Sequence, residues 1–205
     1  MTKFSNIRNY AKLSVAPMMD WTDRHCRYFH RTLSKNTLLY TEMVTSPALI
    51  KGNATHLLEF DKSEHPVALQ LGGSDPIELA KAAVIGSKYG YDEINLNVGC
   101  PSDRVQSGTF GAVLMKTPEV VAKCCKEMID AVDTEVTVKC RVGVDQQNPD
   151  VTLPKFLEHI SNAGVTRVII HARKAILSGL SPKQNRNVPP PVSYTHLTLP
   201  TSDLV

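Results

Sequence analysis

The sequence has no run that approaches the roughly 18 apolar residues of a membrane-spanning helix, so we expect no membrane partner. Its five cysteines form no C-x-x-C pair, and the adjacent Cys124 and Cys125 cannot act as a spaced pair of metal ligands. An odd number of cysteines without a signal peptide predicts a reducing cytoplasm. The pattern therefore argues against a disulfide framework and against a structural metal.

The chain also has little excess of charge. Its 23 basic and 20 acidic residues give a net charge of +3, which permits a polyanionic partner without arguing for one. With 205 residues, 42% hydrophobic and 21% charged, the composition is that of a soluble globular protein with one sizeable domain. No internal repeat is found beyond an alternation of strand-like and helix-like segments.

Six short apolar segments alternate with helical patterns. The predicted strands are Leu13–Pro17, Leu38–Met43, Val67–Gly72, Glu93–Val98, Val136–Val142 and Arg167–Ala172. The predicted helices are Arg24–Leu33, a short helix around Ala54–Phe60, Ile77–Tyr89, Glu119–Val132 and an apolar helical stripe from Phe156 to Ala163. Thr22 is the predicted cap of the first, and Asp75-Pro76 and Thr117-Pro118 begin the third and fourth. Gly90 and Gly164 end the third and the last.

This alternation fits either an open doubly wound sheet or a closed (β/α)₈ barrel, and the side-chain parity decides between them. Val136, Val138 and Val142 face one way, whereas Lys139 and Arg141 face the other. An open parallel sheet buries both faces of its strands, but the inner face of a barrel can carry polar residues near the carboxyl ends. We therefore predict an α/β fold, a (β/α)₈ TIM barrel that is incomplete, with about six of eight units. The predicted inner polar ring is Gln70, Asn95, Asn97, Lys139 and His171.

Cys100 lies just past the end of the fourth predicted strand, where Gly99 and Pro101 turn the chain. The surrounding motifs resemble those of the bacterial flavin-dependent tRNA-dihydrouridine synthases, and the last motif, through Asn185-Arg186, resembles the A type. The resemblance runs from about residue 9 to about residue 190. It rests on Ala16–Asp23, Thr41–Met43, Leu69–Gly73, Asn95–Ser102, Val138–Arg141, Ile170–Lys174 and Ser178–Lys183.

The resemblance implies an FMN-dependent enzyme that uses NADPH or NADH to reduce the uracil C5=C6 bond of D-loop uridines (20/20a type) in tRNA. It assigns the role of proton donor to Cys100. A thiol with the ordinary pKa of about 8.5 is mostly protonated at neutral pH, which suits a general acid. It also implies that Lys139 stabilises the negative charge of reduced flavin. The implied FMN contacts are Pro17, Met18, Met19, Gln70, Lys139 and His171.

By the same resemblance, Asn97 positions the target uridine, and Lys183, Gln184 and Arg186 orient the tRNA. The segment from Arg173 to Arg186 is locally basic, as a phosphate-binding surface requires. The long loop of residues 103–116 could close over an inserted base as a lid. We expect a cytoplasmic monomer without a metal.

The family continues with two more barrel strands, which bind the FMN phosphate, and with a helical tRNA-binding domain. Residues 1–191 are therefore predicted to be the N-terminal part of the barrel, with that helical domain absent. Residues 192–205 carry no family motif and read as a sequencing or assembly artefact. We expect residues 1–205 alone to be neither a stable barrel nor active.

Two alternatives stay open. The first is an inactive truncated fragment, or a weak RNA-binding remnant. The second is another FMN barrel, similar to dihydroorotate dehydrogenase, that acts on a free pyrimidine. The basic segment from Ala172 to Arg186 argues against the second, because a small substrate needs no such cluster.

Overall fold

A computed structural model describes residues 12–102 and 110–189 of the chain. Six parallel strands form one sheet, and each strand neighbours the next one along the chain. A doubly wound sheet would reverse this order at a switch point, whereas a (β/α)₈ barrel keeps it. The predicted fold class, a barrel with six of its eight βα units, is therefore confirmed. The strands are β1 Ser14–Val15, β2 Leu38–Thr45, β3 Val67–Gly72, β4 Glu93–Val98, β5 Glu135–Arg141 and β6 Val168–His171.

The described residues form six α-helices. They are α1 Arg24–Leu33, α2 Ser46–Ile50, α3 Pro76–Tyr89, α4 Pro118–Ala131, α5 Pro149–Asn162 and α6 Gln184–Asn187. Four of the six correspond to predicted helices, and the short helices α2 and α6 were not predicted. Three 3₁₀ helices, Thr55–Leu58, Lys62–Glu64 and Gly111–Lys116, complete the described part. The short helix predicted around residues 54–60 is therefore a single 3₁₀ turn.

The predicted cap of α1 is wrong by one residue. Asp23 caps the helix, because its carboxylate accepts a hydrogen bond from the Cys26 amide at 2.8 Å. The Thr22 hydroxyl is already occupied, since it accepts from the Met18 amide at 3.0 Å and donates to the Met18 carbonyl at 3.2 Å. The chain therefore makes a closed turn before α1 begins.

The predicted ends of α3 are confirmed. Asp75 accepts a hydrogen bond from the Glu78 amide at 2.8 Å, and Pro76 occupies the first helical turn. Gly90 ends the helix with a φ of 92°, a conformation that glycine adopts without a steric penalty. The chain can therefore turn directly into β4.

The core lies between the outer faces of the strands and the helices. Gly86 of α3 allows the closest approach, since a Cβ at this position would lie 2.5 Å from Leu69 Cδ2. The helix backbone therefore packs directly against the side chains of β3 and β4. The buried residues that the strands contribute are Val67, Leu69, Leu71, Ile94, Leu96, Val98, Val136 and Val138, and the helices contribute Leu79, Ala82, Ala83, Val121, Cys125, Met128, Phe156 and Ile160.

The inner face of the sheet is polar. The Tyr40 hydroxyl of β2 donates a hydrogen bond at 2.8 Å to Glu93 of β4, so these side chains meet across the intervening strand β3. This contact spans two inter-strand spacings of about 4.8 Å each. The sheet is curled, and its polar inner face lies on the concave side.

Part of the predicted lid is not a loop. Residues 103–109 lie outside the described part, but Gly111–Lys116 form a 3₁₀ helix in which Ala112, Leu114 and Met115 are buried. The Ala112 amide also donates to the Cys100 carbonyl at 2.9 Å. Apolar side chains therefore anchor this half of the segment against the barrel. The predicted artefact, residues 192–205, lies wholly outside the described residues and stays a prediction.

No helix within residues 12–102 and 110–189 is long and apolar enough to cross a membrane. All five cysteines lie in this part of the chain, and each is free.

A buried ion pair joins α1 to the turn before β3. Arg27 Nε lies 2.5 Å from Glu64 Oε2, and the two side chains are 6% and 1% exposed. Arg27 also donates to the Thr22 carbonyl at 2.9 Å, which ties the start of α1 to the turn after β1. The pair therefore fixes α1 against the sheet.

Replacing Arg27 with methionine would leave the Glu64 carboxylate buried without its cation. We expect a loss of about 3–5 kcal/mol in the free energy of unfolding, because an unpaired buried charge is costly. Urea unfolding of the full-length gene product measures this loss. The control is Lys126→Met, which breaks the exposed pair with Asp130 and should cost less than about 1 kcal/mol. Equal losses in the two variants would contradict the prediction.

Candidate functional site

The predicted site residues lie at one edge of the sheet. All six strands are parallel, so their carboxyl ends share that edge, which is where barrels place their sites. The strand register pairs Asn97 with Lys139 and Arg141 with His171, so the inner residues of β4, β5 and β6 lie side by side. The residues brought together here are Gln70, Asn97, Cys100, Lys139 and His171, with Pro17, Met18 and Met19 in the segment that follows β1.

Cys100 lies in a turn whose backbone is held from three sides. Asn97 Oδ1 accepts hydrogen bonds from the Gly99 and Cys100 amides at 3.0 and 2.9 Å. Arg141 Nε donates to the Gly99 carbonyl at 3.2 Å, and the Cys100 carbonyl accepts from Ala112. The thiol is partly buried and lies 3.5 Å from the Ser102 hydroxyl. The position of the sulfur is therefore set by the fold before any ligand arrives.

Gln70 and Asn97 form a buried pair beneath this turn. Asn97 Nδ2 donates to Gln70 Oε1 at 2.8 Å, and the two residues are 9% and 1% exposed. Each primary amide has two N–H donors, so each keeps one that no described residue takes. The implied contacts of Gln70 with flavin and of Asn97 with uridine stay predictions, and these spare donors are compatible with both.

Lys139 is a cation without a counter-ion in the described part of the chain. Its ammonium group makes no ion pair or hydrogen bond with residues 12–102 or 110–189. Burial, followed by the charge of Arg141, lowers its pKa. A desolvated cation of this kind is stabilised when an anion binds next to it. The site is therefore built to accept negative charge.

His171 ends β6 on the same inner face. Burial lowers its pKa to about 4, and the charges of Arg141, Lys139, Arg173 and Arg186 add to this effect. The imidazole is therefore neutral at physiological pH, and it can donate or accept a hydrogen bond. Its implied contact with flavin stays a prediction.

Arg141 belongs to the site, but the residues predicted from the sequence did not include it. Its side chain is buried and donates to the carbonyls of Gly99, Lys174 and Asn185 at 3.2, 3.4 and 3.0 Å. Burial lowers its pKa to about 10. Arg141 therefore holds the Cys100 turn against the segment after β6. The parity that placed it beside Lys139 on the inner face was the signal that could have identified it.

Met18 and Met19 present apolar surface at the mouth of the barrel. They are 37% and 48% exposed, although methionine side chains usually pack inside proteins. Their backbone is fixed, because the Asp20 amide donates to Glu42 Oε1 at 2.6 Å and Asp20 has a φ of 64°. A preformed, exposed apolar ledge of this kind fits a flat aromatic ligand.

The basic segment after β6 is folded around one buried residue. Asn185 Nδ2 donates to the carbonyls of Ile176 and Leu180, and Asn185 Oδ1 accepts from the Ile176 amide. Lys183 and Arg186 are left exposed on the outside of this loop. Lys183 and Arg186, two of the residues predicted to bind tRNA, therefore lie on the surface of the segment after β6, and their role stays a prediction.

Gln184 has a structural contact as well. Its Oε1 accepts from the amide and the hydroxyl of Ser181, both at 2.8 Å, which closes the turn at the start of α6. Its side-chain NH₂ group has no partner among the described residues. The implied role in tRNA binding can involve only this donor and stays a prediction.

Two clefts lie outside the group of inner-face residues that form the predicted site. A cleft of about 730 Å³ beside α1 is lined by Arg24, Tyr28, Phe60 and His65 and contains no predicted site residue. A second cleft of about 380 Å³ reaches the site through Met19. Within the described residues, no three His, Cys, Asp or Glu side chains come together in a way that could hold a metal ion.

A curled parallel sheet with polar side chains at its carboxyl ends is the architecture of the barrel enzymes. The family model for dihydrouridine synthase (Dus) matches residues 14–198. The chain therefore belongs to the dihydrouridine synthase family.

Several curated relatives are similar over most of the chain. The tRNA-dihydrouridine(20/20a) synthases of Escherichia coli K12 and of a Synechocystis species are each 57% identical to it over 93% of its length. The matched part is 55% of the first relative's length and 57% of the second's. That of Xanthomonas axonopodis is 57% identical over 87% of the chain, and the matched part is 54% of that relative's length. The chain therefore spans about half the length of the curated relatives that it matches.

A solved structure shows the likeness of fold alone. The crystal structure of 2,3-dimethylmalate lyase, a PEP mutase/isocitrate lyase superfamily member, matches with a TM-score of 0.50 at 14% identity. The match covers 82% of this chain and 59% of that one.

The neutral His171 makes the stability of the protein sensitive to acid. Its folded pKa of about 4 lies below the ordinary value of about 6.5, so the unfolded chain binds a proton first as the pH falls. We expect His171 to lower the stability as the pH falls from about 6.5 to about 4. In the full-length product, His171→Gln should lose part of this acid sensitivity, measured as Tm against pH. His25→Gln, on the exposed face of α1, is the control. An unchanged slope in the His171 variant would contradict the prediction.

Proposed function

We propose that the protein is a flavin-dependent tRNA-dihydrouridine synthase that reduces the uracil C5=C6 bond of uridines of the 20/20a type in tRNA. Membership of the dihydrouridine synthase family supports this function. The names of relatives that are 57% identical support the 20/20a specificity. The observation that carries the proposal is the hydrogen-bonded Cys100 turn beside Lys139, a lysine with no ion-pair partner among the described residues, at the mouth of the barrel.

The reaction adds a hydride and a proton across one double bond. The C5=C6 bond is conjugated to the C4 carbonyl, so hydride adds at C6 and a proton must reach C5. Bound FMN, in its reduced form, supplies the hydride. The Cys100 thiol supplies the proton: its S–H bond breaks as the C5–H bond forms, and the thiolate regains a proton from water. Lys139 and Arg141 place two positively charged groups close to this thiol.

The donor set of the site fits a flavin. Lys139 offers a positive charge, unpaired within the described residues, to a group that becomes negative on reduction. Gln70 offers an amide N–H that no described residue takes, and Met18 and Met19 with Pro17 offer the apolar ledge. His171, neutral at physiological pH, adds a hydrogen-bonding group without adding charge. These residues would hold and orient the cofactor.

The loop after β6 is the proposed contact with tRNA. Lys183 and Arg186 are exposed and make no ion pair within the described residues, so they are available for phosphates. Asn97 would position the uridine with the N–H donor that it does not share with any described residue. NADPH as the reductant, a monomeric state and a cytoplasmic location remain predictions. The family match favours this function over the reduction of a free pyrimidine.

The variant Cys100→Ala of the full-length product should bind FMN as the parent does and fail to reduce tRNA uridine. The physical reason is that the proton for C5 has no donor, while the groups that hold the flavin are unchanged. Single-turnover oxidation of the reduced enzyme by tRNA measures the loss, which we expect to be about 100-fold or more. Cys26→Ala, on α1, is the matched control. If Cys100→Ala reduced tRNA at the parental rate, Cys100 would not be the proton donor.

Replacing both Lys183 and Arg186 with alanine should weaken tRNA binding and lower the slope of log K against log salt by about one for each lost phosphate contact. The reason is that each neutralised phosphate releases counter-ions on binding. The measurement is tRNA affinity at several salt concentrations. The control replaces Lys88 and Lys123, two exposed lysines of α3 and α4, and should leave the slope unchanged. An identical slope in both double variants would place the RNA surface elsewhere.

A further inference from the structure

The turn that carries Cys100 is the upper end of a continuous chain of hydrogen bonds through the barrel interior. The Cys100 amide donates to Asn97 Oδ1 at 2.9 Å, and Asn97 Nδ2 donates to Gln70 Oε1 at 2.8 Å. Gln70 Nε2 in turn donates to Asn95 Oδ1 at 2.8 Å. Each amide therefore receives a bond on its oxygen and passes one on through its nitrogen.

The chain continues downward to a carboxylate. Asn95 Nδ2 donates to Thr137 Oγ1 at 2.8 Å, and the Thr137 hydroxyl donates to Glu93 Oε1. Glu93 is fully buried at the start of β4. The links use residues of β3, β4 and β5, so the chain crosses three strands on the inner face of the sheet.

The direction of every link is set by the two ends. At the top, the Gly99 and Cys100 amides can only donate, so the Asn97 oxygen must face them. At the bottom, a carboxylate can only accept, so the Thr137 hydroxyl must donate to it. With both ends fixed, each of the three amides between them has one orientation that satisfies all its partners. Reversing any one of these three side-chain amides would place two donors, or two acceptors, against each other.

Glu93 is held as an acceptor by the groups around it. The Tyr40 hydroxyl donates to Oε1 at 2.8 Å, and Arg167 Nη2 donates to Oε2. Burial, followed by the charge of Glu93, raises the pKa of Tyr40, so the phenol stays protonated and remains a donor. Arg167 also lies 3.3 Å from Glu135, which shares its charge. The bottom of the chain is therefore a charged, fully buried anchor.

We propose that Glu93, acting through Thr137 and Asn95, locks the Gln70 and Asn97 amides from below in the orientation that the Gly99 and Cys100 amides also require, and thereby fixes the Cys100 turn. Glu93, Thr137 and Asn95 are positioning residues, because none of them contacts the turn directly. With this orientation, Gln70 and Asn97 each keep an N–H that no described residue takes, while the Asn97 oxygen already accepts two bonds from the turn. Donors of this kind suit the carbonyl oxygens of flavin and uracil, so the inference deepens the proposed function and, in its functional part, rests on it.

The test removes one link without changing the shape of the interior. Thr137→Val replaces the hydroxyl with a methyl group, so Asn95 loses its acceptor and Glu93 loses a donor. We expect the exchange of the Gly99 and Cys100 backbone amides with solvent deuterium, measured by NMR on the full-length protein without ligands, to accelerate about tenfold. Thr137→Ser keeps the hydroxyl and should restore exchange to within about twofold of the parent.

Two matched controls separate this effect from general loosening. Thr134→Val makes the same substitution just before β5 and breaks a bond of 2.9 Å to Ser87 that lies outside the chain. Tyr40→Phe removes a donor to Glu93 that is a side branch of the chain. Both should leave the exchange of the two amides within about twofold of the parent. Thr137→Ala removes the same hydroxyl with less bulk and replaces the valine variant if that variant does not fold.

Acceleration in the valine or alanine variant alone, with rescue by serine, supports the proposal. If the Gly99 and Cys100 amides of Thr137→Val exchange at the parental rate, the proposal is wrong, because contacts within the turn would then be enough to hold Asn97. Equal acceleration in Tyr40→Phe also overturns it, because the cause would be a loosened barrel floor.

The readout does not depend on the proposed reaction. If the parent failed to reduce tRNA, the proposed function would fall while amide exchange still tested the hydrogen-bond chain. If the chain governs catalysis as well, Thr137→Val should lower kcat for tRNA reduction with little change in KM for tRNA, and Thr137→Ser should recover it.

Discussion

Glu93 is a carboxylate buried at the start of β4, which forms the floor of the barrel, and a buried carboxylate needs hydrogen-bond donors. Three other parts of the sheet supply these donors to Glu93. Tyr40 comes from β2, Thr137 from β5 and Arg167 from the residue before β6. An unpaired charge in this place would be very costly, so these contacts tie the curvature of the sheet to the pairing of the charge. The floor is a polar cluster where a small barrel more often carries apolar layers.

The upper rim has the opposite electrostatic character. Lys139, Arg141 and His171 face the mouth of the barrel, and none of them forms an ion pair within residues 12–102 and 110–189. Burial lowers the pKa of all three groups, and neighbouring positive charges lower it further. A site of this kind stores an unfavourable energy that an anionic ligand relieves. The charge of Glu93 at the floor is thus paired by other residues of the protein, whereas the positive groups at the rim gain a counter-charge only when an anionic ligand binds.

Much of this architecture could be predicted from the sequence, because strand parity is a local property. The alternation around Lys139 identified the inner face, and the punctuation at Asp75 and Gly90 gave the ends of α3 correctly. The cap of α1 was misassigned to Thr22, because the closed turn with Met18 depends on how the chain leaves β1. The segment 111–116 was read as part of a lid, because no local pattern shows the burial of Leu114 and Met115.

The sequence by itself determined where the strands lie, which face of each strand is buried and which residues are available to the site. The two-residue periodicity and the local turn residues fix these features. Only the tertiary structure decided what those residues do to one another. The contacts of Glu93 with Tyr40 and Arg167 span 53 and 74 positions of the chain, and no local pattern encodes such pairs. The three carbonyls held by Arg141, like the single direction of the amide chain, arise because curling the sheet brings the inner side chains of separate strands into contact.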